Sequence, residues 1–378
     1  MHSYFSSTYL EAKRRFLEAA ATANAQLSHY PINPNTPELS IDLAFLPNKS
    51  AIKKPSCLVI SSGVHGVEGF LGSAVQLALL DQLGSLVKHS SNHPDILLIH
   101  GINPYGFHHR RRVNENNVDL NRNFLEEGEF VGAPTGYKQL YHFLNHEKPA
   151  GRWSLFYIEA LYNLLRFGLT KLKESVAPGQ YEFPKGVFYG GHQQEASTQI
   201  LMNKVYPLLQ NYESILHLDY HTGLGSFCDY KLLLTKCETP NSVHWYQQHF
   251  DPTRVESMLG EAIVGYRSTG LLGEWFQERL GVNRYRFATV EFGTYHAVRV
   301  AKAMALENQA YHFGAINPAR KEALSANLLE RFYPDSNIWK RSCLTHGLEV
   351  IRQGLHSFDH QTSNERVDHA ASSAQLQP

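Results

Sequence analysis

The chain has 378 residues, 43% apolar and 19% charged, which are ordinary globular proportions that exclude a wholly disordered or fibrous chain. At roughly 100–200 residues per domain, this length fits two domains or one large α/β domain with insertions. Lysine plus arginine number 35, as do aspartate plus glutamate. The net charge of zero predicts no general attraction to nucleic acid or to an anionic membrane, although it is compatible with a local patch.

Cysteine usage and hydropathy narrow the class further. The four cysteines show no C-x-x-C spacing, so neither a disulfide framework nor a thiolate zinc site is expected. The first residues lack the apolar core of a signal peptide, and no run reaches the roughly 18 apolar residues of a membrane span. We therefore expect a cytoplasmic protein. Histidine is abundant, with 21 residues, and position must decide which of them are ligands.

Apolar periodicity predicts the order of the secondary structure. An amphipathic helix is expected over 10–27, ended by the prolines of 30–38. Short β-branched or apolar runs predict strands at 40–46, 57–61, 96–100, 214–220, 230–235 and 287–291. Helical patterns lie between them at 72–87, 153–175 and 190–209. This alternation predicts an α/β fold with a mixed, mostly parallel central sheet flanked by helices.

We expect one catalytic domain over 1–359, interrupted by an insertion at about 125–213. The pattern is helical again after residue 299. Residues 360–378 are polar and lack apolar periodicity, so we predict a disordered tail there.

The first candidate site follows the strand predicted at 57–61. In the glycine-bounded turn GVHGVEG, His65 and Glu68 are spaced so that both can reach one cation, as two of the three protein ligands of a catalytic zinc. The same spacing recurs in His192/Glu195 and His346/Glu349. Only the first pair follows a strand and is flanked by glycines that allow a tight turn. His192 is a weaker candidate for lining the site, and His346 is typical of a helix surface.

The second candidate site is the polar loop that follows the strand predicted at 96–100. In the segment 102–124, Asp119 is suited to accept the second N–H of a histidine ligand. Asn121 and Arg122 are suited to bind a substrate carboxylate, with bidentate geometry from the arginine. The alternative is a solvated basic loop, but that does not explain the interspersed Val118 and Leu120.

Two further strands end in polar groups. In SILHLDYHTGLGS, strand alternation places His217, Asp219 and His221 on one face. We interpret His221, at the carboxyl end, as the third metal ligand, with His217 and Asp219 as deeper supports. In FATVEFGTYH, Glu291 ends an apolar strand, where a carboxylate beside a metal-activated water acts as a general base.

A structural alternative exists for Glu291. It would instead form a salt bridge to a neighbouring arginine such as Arg284 or Arg286.

Together these segments resemble the M14 zinc carboxypeptidase family and its relatives, the aspartoacylase and succinylglutamate desuccinylase group. VDLNRNF at 118–124 is the most specific piece, and GVHGVEG, DYHTGLG and VEFGTY follow the family's order. The resemblance covers about residues 55–300. GQYEFPKGVFYGG at 179–191 resembles the bacterial branch described as DUF2817, M14-like metallopeptidases.

The resemblance implies a role for each candidate residue. His65, Glu68 and His221 would bind one Zn²⁺, with Glu291 as general base and Asp119 orienting His65. Asn121 and Arg122 would hold the substrate's terminal carboxylate. An arginine of the 110–112 cluster would polarise the scissile carbonyl; its position favours Arg112, with Arg110 and Arg111 left open. A counterpart of the family's mobile tyrosine is not evident, and Tyr266, Tyr285 and Tyr295 are candidates.

The expected function is a zinc metallocarboxypeptidase that cleaves an amide bond next to a free carboxylate. The alternative within this chemistry is an amidohydrolase of small N-acyl amino acids, as in the aspartoacylase group. A non-catalytic binding module is a third reading, but such a module is expected to have lost the base or a ligand. A serine hydrolase is disfavoured because no G-x-S-x-G motif is present. The expected partners are a peptide or an N-acyl amino acid, without nucleic acid or membrane.

Overall fold

A computed structural model of the chain describes residues 2–48, 55–87, 93–176, 178–257 and 269–374. Within these ranges, eight strands form one sheet. They are β1 Gln26–Pro31, β2 Ser40–Leu46, β3 Ser56–Ser62, β4 Asp95–His100, β5 Ser214–Gly223, β6 Tyr230–Leu234, β7 Val255–Glu256 and β8 Tyr285–Gly293. All six predicted strands are present, and the two that sequence reasoning missed, β1 and β7, lie at the two edges of the sheet.

The sheet is mixed, with its parallel part at the centre. The strand order is β1-β2-β4-β3-β5-β8-β6-β7, and the four central strands β4, β3, β5 and β8 run parallel. β2 and β6 flank this block in antiparallel pairing. The carboxyl ends of β3, β5 and β8 therefore meet at one edge of the sheet, which is where ligand sites form in open α/β folds.

Helices cover both faces of the sheet. They are α1 Tyr9–Thr22, α2 Gly69–Val87, α3 Pro104–His109, α4 Thr135–Leu144, α5 Phe156–Val176, α6 Ala196–Ile200, α7 Tyr206–Leu209, α8 Pro240–His249, α9 Leu272–Leu280, α10 Ala297–Phe313, α11 Pro318–Phe332 and α12 Asn337–Ala374. A π-helical turn, Leu201–Val205, joins α6 to α7. None of the described helices is long and apolar enough to cross a membrane.

Strand alternation distributes the core between the two faces. On β3, Leu58 and Ile60 belong to the apolar cluster under α2 and α12, whereas Cys57 and Val59 belong to the cluster on the other side. Because successive side chains point to opposite faces, this continuous apolar strand can be buried on both sides. The prediction of an α/β fold with a mixed, mostly parallel sheet flanked by helices is confirmed.

The segment predicted as an insertion, 125–213, contributes to two separate apolar clusters. Its first part forms a small apolar cluster of its own around Tyr137, Leu140 and Val187. Its last part, including Leu201 and Val205, packs into the main core. The single-domain boundary and the disorder of 360–378 stay predictions, because the side chains from residue 359 on lie outside the described residues.

A buried histidine near the end of β4 makes stability depend on pH. His100 stacks on Phe16 at 4.6 Å, its Nε2 lies 3.0 Å from Ser73 Oγ, and its Nδ1 has no hydrogen-bond partner among the described residues. Burial lowers the pKa of His100 to about 4. Between this value and the ordinary value near 6.5, the unfolded chain therefore binds a proton that the folded chain does not.

We predict that His100 alone removes roughly 2 kcal/mol of unfolding free energy between pH 7.5 and pH 5, because folding keeps the imidazole neutral. Urea unfolding at the two pH values, for the wild type and for His100→Gln, measures this loss. The variant should lack that part of the pH dependence. An identical loss in both proteins would contradict the account.

Candidate active site

The loop that carries His65 and Glu68 starts at the carboxyl end of β3, and backbone hydrogen bonds fix its position. Gly63 has a φ of 74°, which a glycine adopts readily, and the loop turns there out of the strand. Gly66 lies so close to the backbone of α3 that a Cβ atom would come within 2.1 Å of the Gly106 carbonyl carbon. The Gly66 and Val67 amides donate to the carbonyl oxygens of Arg112 and Arg111. The turn is thus tied to the arginine segment.

The other two candidate groups end neighbouring strands. His221 on β5 is the register partner of Glu291 on β8. Both side chains are buried, with 3% and 7% exposure. Because β3 pairs with β5 in parallel, the turn after β3 and the end of β5 lie at the same edge. The sheet thereby brings together residues separated by more than 150 positions in sequence.

His65, Glu68 and His221 form a compact buried cluster. One potential ligand atom from each lies within 4.8 Å of the other two. His65 Nδ1 is 2.9 Å from Glu68 Oε1, and His221 Nδ1 is 3.2 Å from Glu68 Oε2. His65 Nδ1 is buried and makes no hydrogen bond of acceptable geometry to any residue that the structure describes. Two imidazole nitrogens and a carboxylate aimed at one another fit the donor set of a catalytic zinc.

Each histidine is held from behind by a buried aspartate. His65 Nε2 lies 3.1 Å from Asp119 Oδ1, and His221 Nε2 lies 2.6 Å from Asp219 Oδ2. Both carboxylates are fully buried. At His221 the carboxylate keeps the proton on Nε2, which leaves Nδ1 as the atom that can bind a metal. At His65 the same tautomer requires that Asp119, and not Arg112 Nη2 at 2.7 Å, be the hydrogen-bond partner of Nε2. Sequence reasoning expected Asp119 in this position and placed Asp219 nearby.

A buried hydrogen-bond chain continues behind Asp219. Ser61 Oγ donates to Asp219 Oδ1 at 2.6 Å, and His217 Nε2 lies 2.6 Å from the same Ser61 oxygen. His217 Nδ1 in turn contacts the Tyr285 hydroxyl. Because the serine proton goes to Asp219, His217 must donate from Nε2 and accept from Tyr285 at Nδ1. Ser61 and Tyr285 were not foreseen in this arrangement.

The charges of the cluster reinforce one another. Burial acts to raise the pKa of Glu68, but the neighbouring His65 and His221 outweigh it and hold that pKa well below its usual range. Burial acts to lower the pKa of His221, yet Asp219 and Glu68 hold it well above its ordinary value. The carboxylates of Asp219 and Glu68 therefore favour a positive charge at this position, which a proton on His221 or a bound metal cation can provide.

Glu291 has a different environment from Glu68. Burial, followed by the charge of Glu68, raises the pKa of Glu291 to about 7, while His221 and Arg112 act against the rise. Its Oε1 accepts a hydrogen bond from the Leu224 amide at 2.8 Å. Neither Arg284, which donates to backbone carbonyls, nor Arg286, which stacks on Trp245, pairs with it. Glu291 also lines a cavity of about 460 Å³ beside β6.

The three clustered arginines have separate positions. Arg112 lies in the site, with Nη1 on Asp119 Oδ2 and Nη2 at 2.7 Å from His65 Nε2. Arg111 is buried elsewhere, paired with Glu307 and stacked on Tyr311. Arg110 is partly exposed, 3.6 Å from a carboxylate oxygen of Glu322. Of the three, Arg112 is the one adjacent to the histidine–glutamate cluster.

The predicted carboxylate anchors adjoin the same loop. The backbone N–H of Asn121 donates to Asp119 Oδ1 at 3.1 Å, and the side-chain Oδ1 of Asn121 accepts from the backbone N–H of Leu272 at the start of α9. Arg122 is 9% exposed, and its Nη1 donates to the carbonyl oxygen of Asn121. Asn121 and Arg122 are thus held in the same loop as Asp119, next to the histidine–glutamate cluster.

The remaining candidates lie outside the cluster. His192 is exposed. Glu195 accepts hydrogen bonds from the side-chain amides of Asn114 and Asn116 and so helps to hold the loop that contains them. His346 packs on the ring of Tyr230. Among the candidate tyrosines, Tyr285 contacts His217, Tyr295 donates to Glu330, and Tyr266 lies outside the described residues.

Comparisons with solved structures give distant similarities. Bovine thrombin-activatable fibrinolysis inhibitor, in complex with tick carboxypeptidase inhibitor, is 10% identical with a TM-score of 0.47, covering 92% of this chain and 99% of that one. Carboxypeptidase A from Helicoverpa armigera is 13% identical with a TM-score of 0.47, covering 86% and 73%. Murein-tripeptide amidase MpaA from Escherichia coli O157 is 16% identical with a TM-score of 0.37, covering 82% and 93%. These similarities are too weak to transfer an activity.

Sequence families give a stronger result. No curated protein matches the chain. The family model described as "Protein of unknown function (DUF2817)" matches residues 5–346, which span every residue of the candidate site. The chain therefore belongs to the DUF2817 family.

Proposed function

We propose that the protein is a zinc-dependent hydrolase of the M14 carboxypeptidase type, cleaving an amide bond next to a free carboxylate. The observation that carries this proposal is the buried cluster of His65, Glu68 and His221, with both Nδ1 atoms directed at the same carboxylate. A buried salt bridge needs no such arrangement of two aspartate-backed imidazoles, whereas a metal site does. Glu291 on the adjoining strand end supplies the acid–base group.

In this proposal, His65, Glu68 and His221 hold one Zn²⁺. Bound zinc supplies an acidified water and a Lewis acid for the substrate carbonyl. Glu291 accepts the proton of the attacking water through its carboxylate and returns it to the leaving amine. Burial and the charge of Glu68 raise the pKa of Glu291 to about 7 before a metal binds, and a bound cation would lower that pKa and favour the carboxylate that accepts the proton.

The arginines and the asparagine would orient the substrate. Arg112, whose guanidinium contacts Asp119 and His65, would donate to the oxygen of the scissile carbonyl as negative charge develops there. Arg122 and Asn121 would bind the terminal carboxylate by charge-assisted hydrogen bonds. The cavity beside Glu291 has a volume suited to a substrate side chain.

Metal analysis and substrate hydrolysis test the proposed function together. Protein purified without added metal should contain one zinc per chain and should hydrolyse peptides with free C-termini but not their amidated counterparts. Activity on small N-acyl amino acids with none on peptides would favour the aspartoacylase-like alternative. Absence of zinc and of hydrolysis on every substrate class would overturn the proposal.

We predict that Glu291→Gln keeps zinc and loses turnover, because the amide has the size of the carboxyl group but cannot accept the proton. General acid–base catalysis contributes typically 10²- to 10⁴-fold, so kcat should fall within about that range. Zinc content and kcat measure the two effects separately. A folded variant without zinc would instead make Glu291 a ligand.

We predict that Arg112→Ala lowers kcat about 10²- to 10³-fold, the usual effect of removing one oxyanion donor, while zinc remains bound. Arg110→Ala is the matched control, because it removes the same charge from the surface of the same segment. Steady-state kinetics of both variants decide the assignment. Normal turnover in Arg112→Ala would contradict it.

We predict that Ser61→Ala weakens zinc affinity about tenfold, because it leaves Asp219 with one hydrogen bond fewer and loosens the orientation of His221. Chelator competition measures the zinc dissociation constant directly. Ser357→Ala is the matched control, because its buried hydroxyl donates to the Gly354 carbonyl within α12. Equal zinc affinity in Ser61→Ala and the wild type would show that the chain behind Asp219 plays no part in metal binding.

A further inference from the structure

Helix α5 carries an apolar face that the other described residues leave uncovered. Trp153, just before the helix, is 87% exposed, and Leu165 near its middle is 79% exposed. We define the apolar face as Trp153, Ile158, Leu161, Tyr162, Leu165 and Leu169, all exposed. From residue 158 to residue 165, the spacing of three or four residues places these side chains on one side of the helix, and Leu169 follows a break in the helix at Gly168, where φ is 77°. The opposite side is the one that packs inward, through Phe156 and Asn163.

The size of this face is unusual for a surface. Side chains of this kind present roughly 150–250 Å² each when fully exposed, so the six together expose on the order of 800 Å². The largest apolar patch on a typical monomer is about 300–600 Å², and larger ones mark sites of protein or membrane contact. Folding of the described chain does not account for this face.

A strongly basic groove borders the apolar face. α10 and α11 contribute Arg299, Lys302, Arg320 and Arg331 to a cavity of about 440 Å³, and its lining contains no acidic residue. None of the four cations forms an ion pair with a carboxylate of the described residues. Arg320 donates to the Gly151 carbonyl, and Arg331 stacks on the ring of Tyr295. We call these four residues the basic groove.

The like charges of the basic groove disfavour one another. Burial, followed by the charge of Arg320, lowers the pKa of Lys302. Tyr157 of α5 lines the same cavity, and the ammonium of Lys302 lies 3.9 Å from the centre of its ring. Tyr157 is itself half exposed. Tyr157, the residue before Ile158, therefore links the helix that carries the apolar face to the basic groove.

We propose that this surface binds an anionic lipid bilayer, with the apolar face of α5 inserted among the lipids and the basic groove receiving phosphate head groups. An in-plane helix with tryptophan, tyrosine and leucine on one face, beside clustered lysine and arginine, has the chemistry of peripheral membrane attachment. The neutral total charge of the chain conceals this local patch.

A second copy of the chain is the competing occupant, and the charges disfavour it. In a twofold dimer with the two α5 helices antiparallel, the same patch of both copies meets and the two edges at Tyr157 lie side by side. The edge at Tyr157 would then bring two basic grooves toward each other. Their cations have no carboxylate partner among the residues that the structure describes, whereas anionic lipids supply a negative charge.

Vesicle flotation of the full chain tests this proposal. Phosphatidylcholine vesicles and vesicles containing phosphatidylglycerol are the two probes, each at low and high salt. The protein should float with the anionic vesicles at low salt and should bind them less at high salt.

Ile158→Ser with Leu165→Ser should weaken partitioning at least about tenfold. Arg299→Gln with Lys302→Gln should weaken it roughly 25-fold, from the usual effect of each cation near an anionic surface.

Matched controls separate attachment from general surface effects. Ile338→Ser removes an isoleucine that is 74% exposed on α12, and Arg14→Gln with Arg341→Gln removes two exposed cations from α1 and α12. Both controls should bind anionic vesicles like the wild type. The proposal is overturned by no flotation, by equal binding to neutral vesicles, or by equal losses in the controls. A dimer in light scattering that Ile158→Ser with Leu165→Ser dissociates, without vesicle binding, would assign the surface to a second copy.

Discussion

The arrangement of the candidate site depends on two buried aspartate–histidine pairs. Asp119 holds His65 and Asp219 holds His221, each through Nε2, so that both Nδ1 atoms face the carboxylate of Glu68. Without these contacts, either imidazole could rotate or shift its proton to the other nitrogen. The aspartates are inaccessible to solvent, and the cations around them offset their burial. The site is thus preorganised by groups that do not themselves reach the metal position.

The sheet explains why these groups meet. The parallel pairing of β3, β5 and β8 places three chain segments at one edge, and the register sets His221 beside Glu291. The Arg111 and Arg112 carbonyls fasten the turn after β3, so the loop that holds His65 and the one that holds Arg112 are a single unit. A change in that turn should therefore affect both proposed metal binding and proposed carbonyl polarisation.

Much of this arrangement was predictable from sequence, because strand ends and glycine turns leave local signals. His65, Glu68 and His221 were expected to converge, and Asp119 was expected beside His65. The Ser61–His217–Tyr285 chain was not predictable, because it depends on the register between strands far apart in sequence. β1 was missed because it is a polar edge strand ending in Pro31. The exposure of α5 was also hidden, since periodicity identifies an apolar face but not whether another element covers it.

The position of bound zinc relative to the two imidazoles tests the proposed metal site most directly. A crystal grown with zinc and measured at the zinc absorption edge would show where the ion binds. The account predicts a single anomalous peak about 2.0–2.2 Å from His65 Nδ1, His221 Nδ1 and an oxygen of Glu68, with both Nε2 atoms still on their aspartates. A peak at an Nε2 atom, or none among these three side chains, would contradict it.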